Sequence, residues 1–279
     1  MLINRLEVQQ GAGNRLFSYN IILQENGFPK PIVIFLHGFK GFKDWGCFPL
    51  AAQTLANRGL ITIPMNFSHN GTTLEAPTEL ADLDAFGNNN FSKELEDIQK
   101  LLTALPAKLP EKEVDWNRVY IIGHSRGGGI AIIAAAENEI IRKVVTWAGV
   151  ARLGFASLKP EEIEEWKTKG VRYVLNARTH QEMPLYYQLY EDYIQNQKRF
   201  NIEEKIKNLH KPILIIHGTA DESVPFGSAN LLHSWQPAAQ LLLIEGANHT
   251  FGGCHPFNSN QLPDHFEKVI QATVQFLLN

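Results

Sequence analysis

A doubly wound α/β fold with a mostly parallel sheet is what this chain predicts, and three features predict it. Short aliphatic runs are continuous in apolar residues rather than alternating, helix-length segments separate them, and 44% of the 279 residues are hydrophobic, enough for a substantial core. Strands alternating with helices place helices on both faces of the sheet, so the strands need no polar face.

Taken in chain order, residues 2–8 and 17–23 read as a hairpin joined across Gly11-Ala12-Gly13-Asn14, which adds antiparallel strands at one edge. The run IVIFL (32–36) opens the parallel part, followed by a helix over 49–58 and a strand over 60–63. The polar stretch 66–90 reads as a long loop with at most short helical turns, a length that loops tend to reach for function. A helix over 92–105 leads to a strand at 119–122, a helix at 125–137 and a strand at 144–147. Residues 153–209 break this rhythm. Rich in Glu, Lys, Tyr and Trp and without a clear strand, they read as a mainly helical, cap-like insertion within a single domain spanning 1–279. A strand at 213–216, a helix at 228–233, a strand at 241–244 and a helix at 264–278 restore the alternation.

Charge and composition exclude several classes of function. The net charge is -3, with both signs mixed along the chain, so no one-signed patch is set aside for nucleic acid or an anionic membrane. No apolar run reaches the length of a signal peptide or a bilayer span, and the two cysteines, Cys47 and Cys254, are too few for a disulfide scaffold. A soluble, cytoplasmic protein is expected; a bridge between the two thiols, and the choice between monomer and homodimer, stay open. Neither G-x-x-x-x-G-K-[ST] nor G-x-G-x-x-G occurs, and the spacing of His249, Cys254 and His255 matches no zinc signature, so no cofactor or metal is expected.

Chemistry concentrates at VYIIGHSRGGGIAIIAAA, residues 119–136. Ser125 stands in a G-x-S-x-G pattern between a strand and a helix of small residues. A serine hydroxyl is a poor nucleophile until it is exposed, oriented and paired with a base; a sharp strand-to-helix turn supplies the first two. The glycines let the backbone turn that tightly, and the helix N-terminus favours negative charge beside the serine.

These residues resemble the α/β-hydrolase family, which implies that fold and a serine, acid, histidine order along the chain. Both remaining members have candidates: Asp221, in the loop after the strand of PILIIHGTADESVP, and His249, in the loop of IEGANHTF. The resemblance implies that His249 takes the Ser125 proton while Asp221 fixes the imidazole tautomer. Singly, an Asp in a turn bonds its own backbone and a loop His lies on the surface; together, in order and at strand ends, they make a site. The segment IVIFLHGFKGFKDW resembles the family's oxyanion loop, so the backbone N–H groups of Phe39 and Arg126 are the expected oxyanion donors, each worth ~3 kcal/mol of transition-state stabilisation. His37 is expected to shape that loop.

Within the family the likeness is to dienelactone-hydrolase-like and cinnamoyl (feruloyl) esterases, with Ser125 where dienelactone hydrolases proper carry cysteine. It implies a serine hydrolase cleaving a small-molecule carboxylic ester through an acyl-enzyme. A prolyl-oligopeptidase-like peptidase and a non-catalytic binding protein on the same fold are the alternatives. Arg126, charged where many relatives are not, faces either an anionic substrate or a nearby carboxylate. Tyr186, Tyr187, Tyr190, Tyr193 and Trp166 read as the packing stripe of a helix, or as the wall of an aromatic acyl pocket.

Overall fold

The computed structural model of the chain describes residues 1–155 and 157–279. The N-terminal hairpin is β1 (Leu2–Gln10) and β2 (Leu16–Gln24); β3 (Lys30–Leu36), α1 (Phe48–Asn57) and β4 (Ile61–Met65) follow. Next come α2 (Leu83–Gly87), α3 (Phe91–Ala104), β5 (Val114–His124), α4 (Arg126–Glu137) and β6 (Ile141–Trp147). The insertion holds α5 (Pro160–Lys169), β7 (Val171–Asn176), β8 (Gln181–Tyr186), α6 (Gln188–Gln195) and α7 (Ile202–Lys207). The chain ends with β9 (Ile213–Gly218), α8 (Gly227–Trp235), β10 (Gln240–Ile244) and α9 (Asp264–Leu278).

Eight strands make one sheet in the order β1-β2-β4-β3-β5-β6-β9-β10. From β4 to β10 all pairings are parallel, while β1 with β2 and β2 with β4 are antiparallel, as the sequence predicts for the N-terminal edge. The continuous apolar runs are explained by a core on each face. Along β3, Ile32, Ile34 and Leu36 enter one core with residues of α3 and α4, while Val33 and Phe35 enter the other with residues of α1 and α9. A hydrogen bond of 3.0 Å from Trp147 Nε1 to Thr273 Oγ1 ties β6 to α9 and satisfies both buried polar atoms.

One expectation is met and one changes. Residues 66–90 do contain one short helix, α2, capped by Asp82, whose carboxylate accepts from the Ala85 N–H at 2.9 Å. The insertion, read from the sequence as lacking a clear strand, carries the antiparallel ribbon β7–β8, in register from Val171 opposite Tyr186 to Asn176 opposite Gln181. A two-stranded ribbon with one open face needs no apolar run: Tyr173 and Leu175 point to solvent while Met183 and Leu185 are buried. The aromatic residues pack the insertion's interior and fasten it to α2 and α3. Trp166 is buried against Phe155, Tyr187 and Tyr190 and donates from Nε1 to the Leu185 carbonyl at 2.7 Å. Tyr193 packs on Phe91 and Phe155, and Tyr186, on β8 rather than a helix, donates to Asp84 Oδ1 at 3.0 Å.

The sheet brings its carboxyl ends to one edge, and there β5 passes into α4 through the turn at Ser125, with φ 56° and ψ -122°. An L-residue pays strain in that region, about 1–3 kcal/mol. The neighbours leave no alternative: a Cβ at Gly123 would sit 2.1 Å from the Gly127 carbonyl oxygen, and one at Gly127 would sit 2.5 Å from the His37 carbonyl oxygen. Ser125 N–H donates to the Trp147 carbonyl at 2.9 Å, holding the turn against β6.

Truncating the centre of β3 by Ile34→Ala is expected to cost about 2–5 kcal/mol in urea unfolding, since Ile34 has no exposed surface. Ser125→Gly, which relieves the strained φ, is expected to be about 1 kcal/mol more stable than Ser125→Ala, which keeps it. Equal stabilities of those two variants would mean that the turn stores no strain.

Candidate active site

Four strand ends supply the side chains and backbone groups singled out by the sequence: β3 leads to His37-Gly38-Phe39, β5 to Ser125, β9 to Asp221 and β10 to His249. The first two meet at backbone distance. A Cβ at Gly38 would lie 2.8 Å from Ser125 Cβ and 3.3 Å from its Oγ, so only glycine lets this loop approach the serine so closely. His37 is buried and shapes the loop, as the sequence implied. Its Nδ1–H donates to the Gly38 carbonyl at 2.9 Å, and Nε2 accepts from the Phe67 N–H at 3.4 Å and Asn70 Nδ2 at 3.3 Å. Burial lowers its pKa to about 4, so the ring stays neutral. The N–H groups of Phe39 and Arg126 have no acceptor among the described residues.

Asp221 and His249 are joined, His249 Nδ1–H donating to Asp221 Oδ2 at 2.8 Å. The carboxylate is wholly enclosed, and its other oxygen accepts from the N–H groups of Ser223 (2.9 Å) and Val224 (2.8 Å). Desolvation alone would raise its pKa; contacts to the His217 and His249 rings and the Val224 N–H outweigh that and hold it well below the usual carboxylate range. Asp221 is therefore an anion facing an imidazole. His249 uses Nδ1 in this contact, and Nε2 has no protein partner among the described residues.

Ser125 and His249 line one cavity of about 140 Å³, together with Gly38, Phe39, Trp45 and His124. Ser125 Oγ and the His249 ring share this space without a hydrogen bond between them. Ser125 and Phe39 also line a second cavity of about 240 Å³, walled by Arg126, Phe91, Leu153, Phe155 and Leu189. The serine thus stands where two cavities meet. Among the described residues, no three His, Cys, Asp or Glu side chains converge as a metal site requires, and Cys47 (buried) and Cys254 (exposed) are unpaired.

Three residues here were not singled out from the sequence. His124, the second residue of G-x-S-x-G, is buried, donates from Nε2 to the His249 carbonyl at 2.9 Å, and packs with its ring centre 4.7 Å from that of His249, tilted by 50°. Burial, and then the neighbouring His249 ring, lower its pKa to about 3, so it stays uncharged. His217, at the end of β9, donates to the Val224 carbonyl at 2.8 Å and lies 3.2 Å from Asp221 Oδ2, closing the loop around that carboxylate. Glu94 resolves the question raised by Arg126: the guanidinium meets a nearby carboxylate, and Glu94 is almost wholly buried. A signal for it existed, because Glu94 falls on the apolar stripe Phe91, Ile98, Leu101 of α3, where a charge needs a buried partner.

No described helix is long and apolar enough to cross a membrane. Among curated proteins, isoprenylcysteine alpha-carbonyl methylesterase ICME of Arabidopsis thaliana is 24% identical over 265 residues, covering 85% of this chain and 54% of that protein. The chain spans about half the length of the curated relatives it matches over most of its own length. Among solved structures, Est1E from Butyrivibrio proteoclasticus with ferulic acid bound superposes with a TM-score of 0.72 at 20% identity, covering 98% of each chain. The esterase domain of a Rhodothermus marinus protein superposes with a TM-score of 0.64 at 17% identity, covering 99% of each. The two superpositions show the fold that the sequence resemblance implies, and they extend across the insertion. A family model spans residues 33–260, from β3 past the His249 loop, and its description names what strand order, turn and site have already outlined: this chain belongs to the alpha/beta hydrolase family.

Proposed function

We propose that the chain is a serine hydrolase that cleaves carboxylic esters of small or medium-sized molecules through an acyl-enzyme. One observation carries the reading. The His249 ring, anchored at Nδ1 by the enclosed Asp221 anion, has its Nε2 unengaged and lines the same cavity as Ser125 on its strained turn.

Each group has a role in this reaction. Ser125 Oγ attacks the ester carbonyl as its proton passes to His249 Nε2, and the carbonyl oxygen becomes an oxyanion facing the N–H groups of Phe39 and Arg126. The intermediate collapses, the alcohol leaves with the proton from His249, and the acyl group stays on Ser125. Water then attacks the acyl carbonyl, giving its proton to His249, and the carboxylic acid leaves as Ser125 recovers its hydrogen. Asp221 keeps the Nδ1–H tautomer and stabilises the imidazolium; it is not protonated. Hydrogen bonds between serine and histidine in an unliganded site are often long and tighten only when substrate is bound, so the absence of a direct Oγ–imidazole bond fits the unliganded geometry. The two cavities on either side of Ser125 give the acyl group and the leaving alcohol separate places.

A panel of p-nitrophenyl esters and aminoacyl p-nitroanilides tests the reading. Turnover of the esters is expected, with Ser125→Ala lowering kcat by at least about 10³-fold and Asp221→Asn by about 10³–10⁴-fold while KM changes little. Faster cleavage of the anilides would make the protein a peptidase. Failure of a fluorophosphonate probe to label Ser125 in the folded protein would point to a binding protein without this chemistry.

A further inference from the structure

The Arg126 side chain, beside the nucleophile, is held by a carboxylate and two aromatic rings. Its guanidinium is ion-paired with Glu94 through one terminal nitrogen, and Glu94 Oε1 also accepts from Asn89 Nδ2 at 2.8 Å. The guanidinium carbon lies 4.8 Å from the centre of the Phe39 ring and 6.0 Å from that of Phe91, which fixes its plane. Only 15% of the side chain is exposed. Its Nε–H and second terminal nitrogen have no acceptor among the described residues, yet they are not sealed off, and the side chain lines the larger of the two cavities beside Ser125. Otherwise that cavity is walled largely by aromatic and aliphatic side chains, so the spare N–H groups are polar features in an apolar slot.

The other guanidinium at this cavity, that of Arg152, is two-thirds exposed, lies over the Trp235 ring at 5.3 Å and is 3.8 Å from Glu203. It is engaged outside the slot. Arg126 is already neutralised by Glu94, and a ligand carboxylate there would put a second anion beside a buried one. Spare donors on a neutral pair call for an uncharged acceptor.

We propose that Arg126 is a specificity-determining residue, and that the ester taken by this site has an apolar acyl chain carrying a neutral oxygen acceptor, an ether, hydroxyl or carbonyl oxygen, bound by the Arg126 N–H groups in the larger cavity. This deepens the ester-hydrolase reading above and rests on it.

The test uses p-nitrophenyl esters with a common leaving group and matched acyl chains: 3-methoxypropanoate against pentanoate, 5-methoxypentanoate against heptanoate, and the anionic adipate hemi-ester. In the wild-type protein, at least one methoxy ester is expected to exceed its hydrocarbon partner by about tenfold or more in kcat/KM, because a charged donor left unpaired in the slot penalises the hydrocarbon. The paired change Glu94→Gln with Arg126→Met, which removes both charges together, brings that ratio to about one. Arg126→Lys, which keeps a cation for Glu94 but draws its ammonium to that carboxylate and so removes the Nε–H and second terminal nitrogen from the slot, does the same and serves if the double variant fails to fold. A ratio near one at both lengths in the wild type, a ratio that survives in the variants, or adipate as the best substrate overturns the proposal.

Its failure is separable from that of the hydrolase reading. If no ester is turned over, that reading falls, and calorimetric binding of the intact esters to Ser125→Ala still reports the cavity. Preference there for the methoxy esters, lost when Arg126→Lys is added, supports the inference; equal binding of each pair overturns it.

Discussion

Backbone packed against backbone at residues 36–38 and 123–127 is the constraint on which the rest of the molecule depends. Two adjacent parallel strands, β3 and β5, deliver their carboxyl ends side by side, and the chain leaves both in opposite senses within a few ångströms. Side chains cannot occupy that space, which is why Gly38, Gly123 and Gly127 surround a serine held at positive φ. The strain is local and small beside the burial that surrounds it. Two cores, one on each face of the sheet, clamp β3 and β5 in register, so the turn cannot relax without unpacking strands that carry much of the protein's apolar burial.

The second half of the site is organised by electrostatics rather than by close contact. An enclosed carboxylate is costly unless its lone pairs are taken, and at Asp221 they are: two backbone N–H groups on one oxygen, two imidazoles on the other. His217 and His124 brace this arrangement from either side, one by closing the Asp221 loop and the other by holding the carbonyl of His249 itself. Two imidazoles and two backbone N–H groups thus hold the Asp221 anion inside a polar network.

Much of this was legible in the sequence, for reasons that can be named residue by residue. The strands of the main sheet announce themselves because a strand covered on both faces must be apolar throughout, and IVIFL or VYII can be little else. Ser125, Asp221 and His249 stand out because each follows such a run at a turn. The ribbon of β7 and β8 was hidden because its strands are short, half-exposed and broken by Arg172 and Pro184, so no period rises above its surroundings. His124 and His217 were hidden for a different reason: each lies just past the end of a legible apolar run, where a histidine reads as packing, and only three-dimensional neighbours reveal what each holds. Glu94 left a trace, a charge on an apolar helix stripe, but the partner 32 residues away could not be chosen from sequence.

The pairing of Glu94 with Arg126 also binds the histories of two helices. Replacing either residue alone by an uncharged one leaves the other's charge buried without its partner, an intermediate that selection disfavours, so across descendants of this chain the two charges are expected to be lost jointly or kept. Substrate preference in such a lineage would then shift in steps, by double substitution, rather than drift one residue at a time.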